Sequence, residues 1–244
     1  PILVDQDFPF SEMFIGPGSY SFDLQGTDRT FGAGQEAINL QGVPGIIAEL
    51  KLRGGILYVD GEVHNGEGDL PGKIALVSNE TGEMGGIHVD GLYMQREVGE
   101  LLIEINTAMI GIERPAPVQI SSSIPLLDGV LELILDDGYV PQDGDIIPLL
   151  SSELIDQNSG QFSIVLINDS LPEGLYIKII YIDDGRDAGG TIYAEVDLLT
   201  NLFGYGEPSS ENVTGIASDV VAADFGSNTR TADGFDDLAV TTTD

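Results

Sequence analysis

The residues best suited to chemistry in this chain are three carboxylates and two histidines in neighbouring apolar runs. Asp60 and Glu62 lie in one run, which His64 follows, and His88 and Asp90 lie in another. Paired carboxylates are the groups that hydrolysis of a sugar bond most often uses, and a histidine can also move protons. If coils of a solenoid stack in register, His64 and His88 could lie on one face. A carbohydrate-active enzyme on a β-helix scaffold is therefore one hypothesis, and solvent-facing strand residues are the interpretation we favour.

Several groups that such an enzyme would need are missing from the sequence. Arg96 and Arg186 are isolated, whereas binding of an acidic sugar calls for clustered cations. There is no tryptophan and the aromatic content is 7%, so platforms for stacking a sugar ring are scarce. The absence of cysteine removes thiol nucleophiles and zinc–thiolate sites. The sequence therefore predicts a protein that is not an enzyme, with no catalytic and no cofactor-binding residues.

The chain is strongly acidic, with 41 acidic against 9 basic residues and a net charge of −32. We expect no nucleic-acid partner, because no cationic surface is available to displace counterions from phosphates. No run approaches the roughly 18 apolar residues of a spanning helix, so we expect no membrane insertion. The carboxylates either form a solvated surface that keeps the protein soluble or include oxygen-rich sites for Ca²⁺. Both interpretations stay open from composition alone.

Short apolar runs separated by Gly, Asp and Pro turns make up most of the chain. Apolar and polar residues alternate in the runs 46–52, 56–63, 73–77 and 87–93, so one face of each run points inward. Stacked coils of this kind bury a continuous core only through their neighbours, which is the principle of a solenoid. The sequence predicts an all-β protein in which parallel β-helix or solenoid-like coils lead into a β-sandwich-like segment. No single repeat length fits all the coils.

Composition divides the chain into four segments. Residues 1–22 are aromatic-rich and too apolar for a free tail, so we expect an extended segment that caps the domain or donates a strand. Residues 23–105 form the β-helix-like coils, and residues 106–197 form a β-rich solenoid or sandwich segment. Residues 198–244 form a linker followed by a tail. The chain opens with proline rather than methionine, which predicts a processed or excised piece of a longer protein.

Short motifs follow one another in order between residues 86 and 197. They are Gly91-x-Tyr93-x-Gln95, Gly99-x-Leu101-x-Ile103-Glu104-Ile105, Leu127-x-Gly129-x-Leu131, Gly138-Tyr139-x-Pro141-x-x-Gly144-Asp145, Gly160-x-Phe162 and Leu171-Pro172-x-Gly174-Leu175. Their order resembles the C-terminal part of autotransporter-like parallel β-helix repeat proteins of environmental bacteria, and the coils from about residue 31 suit the preceding β-helix. The resemblance implies an extracellular or cell-surface location, a structural or adhesive role and no catalytic residues.

The tail from about 202 to 241 contains a second set of motifs, namely Phe203-Gly204, the run Val220–Ala223 and Asp237-Leu238-Ala239-Val240. Together they resemble one FG-GAP repeat, the unit of integrin-type β-propellers. The resemblance implies a Ca²⁺-binding loop in which Asp224, Asp233 and Asp237 match the metal ligands and Gly234 matches the turn. The alternative is a solvated Asp/Gly turn without metal.

These observations together favour a secreted structural protein that forms or decorates an extracellular fibre, surface layer or matrix by strand-mediated self-assembly. The ends of a solenoid expose strand edges, and head-to-tail contact between copies does not close. We therefore expect a homo-oligomer or filament of copies of this chain. The alternative is a Ca²⁺-dependent adhesin or binding module that recognises a surface glycan or protein ligand through its tail.

Overall fold

A computed structural model describes residues 2–3, 7, 12–136, 138–154, 159–168, 171–183, 190–198, 220–223 and 239–242. Almost all of the secondary structure is β-strand. The strands are β1 Ile2–Leu3, β2 Met13–Ile15, β3 Gly18–Asp23, β4 Arg29–Leu40, β5 Ala48–Arg53, β6 Gly55–Asn65, β7 Gly72–Val77, β8 Gly85–Asp90, β9 Tyr93–Gln95, β10 Gly99–Ile105, β11 Val118–Ser121, β12 Val130–Leu135, β13 Ile146–Ser152, β14 Ile164–Ile167, β15 Leu175–Asp183, β16 Gly190–Leu198, β17 Val220–Ala223 and β18 Ala239–Thr242. A three-residue 3₁₀ helix, Thr107–Met109, lies between β10 and β11.

The strands form two sheets, and in each coil the chain crosses from one sheet to the other. Sheet A has the order β1-β3-β5-β7-β10-β12-β14-β18, and every pairing in it is parallel. Sheet B has the order β17-β15-β16-β13-β11-β8-β6-β4-β2, with β9 paired to the end of β6. It is parallel from β2 to β13 and antiparallel beyond. The result is a β-solenoid of about five turns, which confirms the all-β, stacked-coil prediction.

The core consists of columns of apolar side chains that stack in register along the solenoid. In sheet A one column contains Leu50, Ile74, Leu101, Leu131 and Val165, all completely buried. A facing column in sheet B contains Leu57, Ile87, Val118, Leu150 and Ile192, which are buried to the same degree. Each rung therefore buries its apolar face against the rungs above and below it and against the opposite sheet.

Coils differ in length although their strands stay in register. Ala48 pairs with Gly72, 24 residues later, whereas Val130 pairs with Ile164, 34 residues later. The extra residues lie in the connections between strands, which a solenoid tolerates because they project outside the core. This variation explains why the sequence shows repeated strands without a fixed period.

The fold closes at its C-terminal side with antiparallel strands. The run 177–182, which the sequence predicts as a paired strand, lies in β15 between β16 and β17. At the other end, β1 and β2 in segment 1–22 pair with β3 and β4. The segment boundaries stay predictions. Within the described ranges, no helix is long and apolar enough to cross a membrane.

Candidate functional site

One cluster of charged side chains lies on the outward face of sheet A. Lys73 on β7 pairs with both Glu100 on β10 and Glu132 on β12, and the side-chain amide of Asn168 donates to Glu132. Lys73 and Glu100 are register neighbours, and Glu132 lies one rung further on, beside Leu102. The three charged side chains are mostly buried although they point outward. Stacking of the coils thus brings together groups that lie far apart in sequence.

The two carboxyl groups of this cluster differ in acidity. Burial raises the pKa of Glu100 to about 7, and its hydrogen bond with Glu132 adds to the effect while Lys73 opposes it. Burial alone would also raise the pKa of Glu132, but its hydrogen bonds with Glu100 and Lys73 outweigh burial and lower it. The same two partners raise the pKa of Lys73 against the effect of burial. Near neutral pH, Lys73 is therefore positively charged and Glu132 is ionised, whereas Glu100 is protonated in a fraction of the molecules.

The carboxyl groups of Glu100 and Glu132 are separated too little for sugar chemistry. They are hydrogen-bonded to each other, whereas carboxyl pairs in glycosidases stand roughly 5 Å or more apart so that a sugar carbon or a water fits between them. The Lys73 ammonium is already paired with both. This arrangement is an ionic network that joins three rungs of sheet A.

A second polar cluster lies on the outward face of sheet B around His88. The rings of Tyr58 and His88, which are register neighbours, stack with centroids 5.1 Å apart. The Nε2 atom of His88 lies 3.2 Å from Ser121 Oγ, which donates to Asp90 Oδ1 over 3.2 Å. Ser122 donates to the same oxygen, and the hydrogen bonds from Ser122 and Ser121 lower the pKa of Asp90. Asp90 is therefore ionised and a strong acceptor.

The directions of these hydrogen bonds do not make a nucleophile. A serine nucleophile gives its proton to a histidine whose other ring nitrogen is held by a carboxylate. Here Ser121 gives its single proton to Asp90, so Ser121 can only accept a hydrogen bond from the Nε2–H of His88. The carboxylate thus holds the serine and not the histidine. The cluster can bind a polar group at an exposed surface, but its hydrogen bonds do not run in the order of a catalytic triad, from serine to histidine to carboxylate.

The two histidines singled out from the sequence are both on sheet B and are not brought together. His64 pairs with Met94 and lies 2.9 Å from Glu62, whereas His88 pairs with Tyr58. Six residues of β6 separate the two positions, which is about 20 Å along a strand. The shared site that motivated the enzyme hypothesis is therefore not formed by these residues.

A row of buried amides lies inside the solenoid where β6 and β9 end. Asn65 donates to Gln95 Oε1 at 3.2 Å and to the Glu100 carbonyl at 2.8 Å. Gln95 donates to the carbonyls of Asp128 and Val130, each at 2.9 Å, and accepts from the Tyr93 hydroxyl. These amides satisfy backbone groups at the corners of three rungs. Sequence analysis did not identify these amides, although a polar residue at the end of an apolar run is a signal that could have marked them.

The predicted Ca²⁺ ligands Asp224, Asp233 and Asp237 lie outside the described residues. They belong to the connection between β17 and β18. Among the residues whose positions are described, no three histidine, aspartate or glutamate side chains come close enough together to hold a metal ion. Calcium binding by the tail therefore stays a prediction.

Comparison with known proteins assigns no family to this chain. No protein-family model matches it, and no solved structure matches it. A stretch of 73 residues is 27% identical to the large ribosomal subunit protein uL30 of Dictyostelium discoideum. This stretch covers 30% of the present chain and 30% of that protein. So short a similarity shows no shared family, and we draw no functional argument from it.

Proposed function

We propose that this protein is a secreted structural protein that builds an extracellular fibre, surface layer or matrix by self-assembly through its strand edges. The observation that carries the proposal is the parallel ladder of sheet A, which runs through the whole solenoid from β1 to β18. Because all its strands point the same way, the two ends of the ladder are complementary. A second copy displaced along the solenoid axis can continue it.

The energetics of the molecule support a scaffold. Its core columns are apolar, and the ionic network of Lys73, Glu100 and Glu132 ties rungs together. The buried amides of Asn65 and Gln95 bond the backbone of neighbouring rungs. Polar groups are thus engaged in holding rungs together. This is the use expected of them in a load-carrying solenoid, where stability sums over contacts between neighbours.

The expected location outside the cell rests on the motifs that resemble autotransporter-like β-helix proteins and on the charge of −32, which favours solubility. Copies of this chain are the proposed partner. A role as a Ca²⁺-dependent adhesin depends on the tail residues Asp224, Asp233 and Asp237 and is the alternative we keep for the same molecule.

Light scattering and negative-stain electron microscopy of the purified chain test the proposal. We expect the average mass to rise with protein concentration in 0.3 M NaCl and elongated particles to appear. A chain that stays monomeric at high concentration, with and without Ca²⁺ and salt, would overturn the proposed function.

A further inference from the structure

Exposed apolar side chains gather at the N-terminal end of the solenoid. Of the eleven large hydrophobic residues that are exposed in the described part of the chain, five lie between residues 14 and 47. We call these five the N-terminal patch: Phe14, Tyr20, Val43, Ile46 and Ile47. The amide of Gly18 donates to the carbonyl of Ile47, and the amide of Gln41 donates to the carbonyl of Ile15. These hydrogen bonds hold residues 15–18 beside residues 41–47. Clustered apolar exposure of this kind marks a surface that another molecule covers.

Tyr20 shows that the core itself is open at this end. It belongs to the inward column of sheet A, in register with Leu50, which is completely buried. Tyr20 is nevertheless 42% exposed. Among the described residues, none pairs with Tyr20 on the side away from β5.

Within the described part of the chain, the backbone at the same place also has an unpaired strand edge. Strand β1 pairs with β3 only at Phe22 and Asp23, and no described strand pairs with residues 18–21 on that side. Gly18 bonds to the β5 side through Ile47, so the alternation of a parallel ladder points the amide of Ser19 to the free edge. An apolar, unpaired edge of this kind is a template for another strand.

The opposite end of sheet A carries a strand that runs in the matching direction. Strand β18 has four residues, pairs in parallel with β14 and is the last strand of the sheet. The register columns place Ala239 in line with Ile164, Val130, Glu100, Lys73, Glu49 and Ser19. Continuation of the ladder would thus set Ala239 of one copy beside Ser19 of the next, and Val240 beside the open position of Tyr20.

Charge opposes the growth of a filament least when copies assemble head to tail. Residues 1–56 contain seven acidic and three basic residues, a net charge of −4. Residues 198–244, which include the last strand of each sheet, contain eight acidic residues and one basic residue, a net charge of −7. Both ends are acidic, so every contact between copies is opposed by charge and a tail-to-tail contact is opposed most. A head-to-tail filament avoids tail-to-tail contacts, whereas a filament that alternates head-to-head with tail-to-tail contacts contains them at every second interface.

We propose that the N-terminal patch and the free edge of β3 form the docking surface for a second copy of this chain, whose residues 239–241 in strand β18 add in parallel to residues 19–21. This inference rests on the proposed function, since it names the surface through which self-assembly proceeds. The contact is heterologous and leaves the far end of each copy free, so it propagates into a filament.

Engineered cysteines test the register directly, because the chain contains none of its own. Parallel neighbours lie at a spacing that a disulfide can bridge. A mixture of the single variants Ser19→Cys and Ala239→Cys, oxidised under assembly conditions, should give a mixed disulfide dimer. A mixture of Ser19→Cys with Ser151→Cys, which lies on sheet B, should not.

Two substitutions test the surface by sedimentation velocity in 0.3 M NaCl. Ile46→Glu places a charge in the patch, and Ser19→Pro removes the edge amide. Each should raise the protein concentration at half-assembly at least tenfold. Ile112→Glu is the matched control, since Ile112 is 55% exposed and Ile46 is 54% exposed, and it should leave assembly unchanged. Circular dichroism establishes that each variant keeps its strand content.

The outcomes separate the two proposals. A wild-type chain that never assembles overturns the proposed function and this inference with it. A wild-type chain that assembles while Ile46→Glu and Ile112→Glu behave alike, or while the Ser19–Ala239 disulfide does not form, overturns the docking surface and leaves self-assembly standing.

Discussion

Glu100 is a buried acid whose proton the folded protein holds more tightly than the unfolded chain does. Its pKa is raised to about 7 from an ordinary value near 4.5, mainly by burial. Its contribution to stability is therefore complete below about pH 4.5 and is lost as the pH rises through about 7. Glu132 has a lowered pKa, so its contribution is present at neutral pH and is lost as the pH falls. Of these two groups, Glu100 is therefore the one whose titration changes the free energy of unfolding between about pH 4.5 and pH 7.

Substitution Glu100→Gln should make stability less dependent on pH in that range. Glutamine keeps the shape of the protonated acid and cannot lose a proton. We expect the free energy of unfolding of the variant, relative to the wild type, to rise by about 2 kcal/mol between pH 4.5 and pH 8. Urea titrations at both pH values measure it. Glu97→Gln, at an exposed position near β10, serves as the control. A difference from wild type that is equal at both pH values contradicts the raised pKa of Glu100.

At the corner of the coils, the side-chain amide of Gln95 donates hydrogen bonds to more backbone carbonyls than the neighbouring amide of Asn65 does. Gln95 is 1% exposed and donates to the carbonyls of Asp128 and Val130. Gln95→Leu leaves both carbonyls without these donors, so we expect the free energy of unfolding to fall by about 3 kcal/mol. Gln119→Leu, which removes a single bond to the Ala116 carbonyl on the outward face, should cost less than about 1 kcal/mol. Equal losses would show that the buried amides are not structural.

At this scale the sequence could name polar residues but not their partners. Lys73 meets Glu100 and Glu132, which lie 27 and 59 residues away. Coil lengths from 24 to 34 residues decide such meetings, and those lengths depend on connections that carry no periodic signal. For the same reason the sequence could not show that His88 meets Tyr58 and that His64 meets Met94. The sequence shows carboxylates and histidines that are suited to catalysis, but the strand register does not bring His64 and His88 together in one site.

Glycines inside the rungs allow neighbouring elements to approach closely. The pairing of β6 with β8 ends at Val59 and resumes with β9 at Val63, and Gly61 lies between them at a φ of 149°. A Cβ atom added at Gly91, one rung further on, would collide with the carbonyl oxygen of Gly61. Only glycine fits where two backbones come this near.

Gly91→Ala should therefore strain the contact between two rungs. We expect a loss of about 2–4 kcal/mol in the free energy of unfolding, because the colliding atom is backbone and cannot move aside. Gly16→Ala is the matched control, since no atom lies within 4 Å of a Cβ at that position, and it should change stability by less than about 1 kcal/mol. Thermal and urea unfolding of both variants measure the difference. Similar values for the two would refute a close approach at Gly91.

Strands were predictable from the sequence because each one is specified locally. Alternation of apolar and polar residues between Gly and Asp turns marks β5 to β8, and the dense β-branched run 177–182 marks β15. The division between two sheets was not predictable, because it depends on where each coil turns back. Sheet B switches from parallel to antiparallel pairing after β13, where the consecutive strands β15 and β16 pair directly with each other.

The whole molecule combines an apolar patch at its N-terminal end with a high negative charge. A net charge of −32 makes copies repel one another, whereas the N-terminal patch and the free edge of β3 favour contact. Repulsion between solvated charges is screened by salt, with a Debye length of about 30 Å at 0.01 M and about 10 Å at 0.1 M. Apolar burial and strand pairing are much less sensitive to salt. Salt therefore shifts the balance between a dispersed and an assembled state.

Assembly should accordingly strengthen as the ionic strength rises. We expect the protein concentration at half-assembly to fall at least tenfold between 10 mM and 300 mM NaCl, measured by light scattering at constant pH. MgCl₂ and CaCl₂ at matched ionic strength separate screening from specific binding, since only a Ca²⁺ site in the tail would make the calcium salt more effective. Asp233→Ala should then abolish the excess effect of Ca²⁺ and leave the response to NaCl intact. Assembly that weakens in NaCl would mean that ion pairs, and not apolar strand edges, hold the copies together.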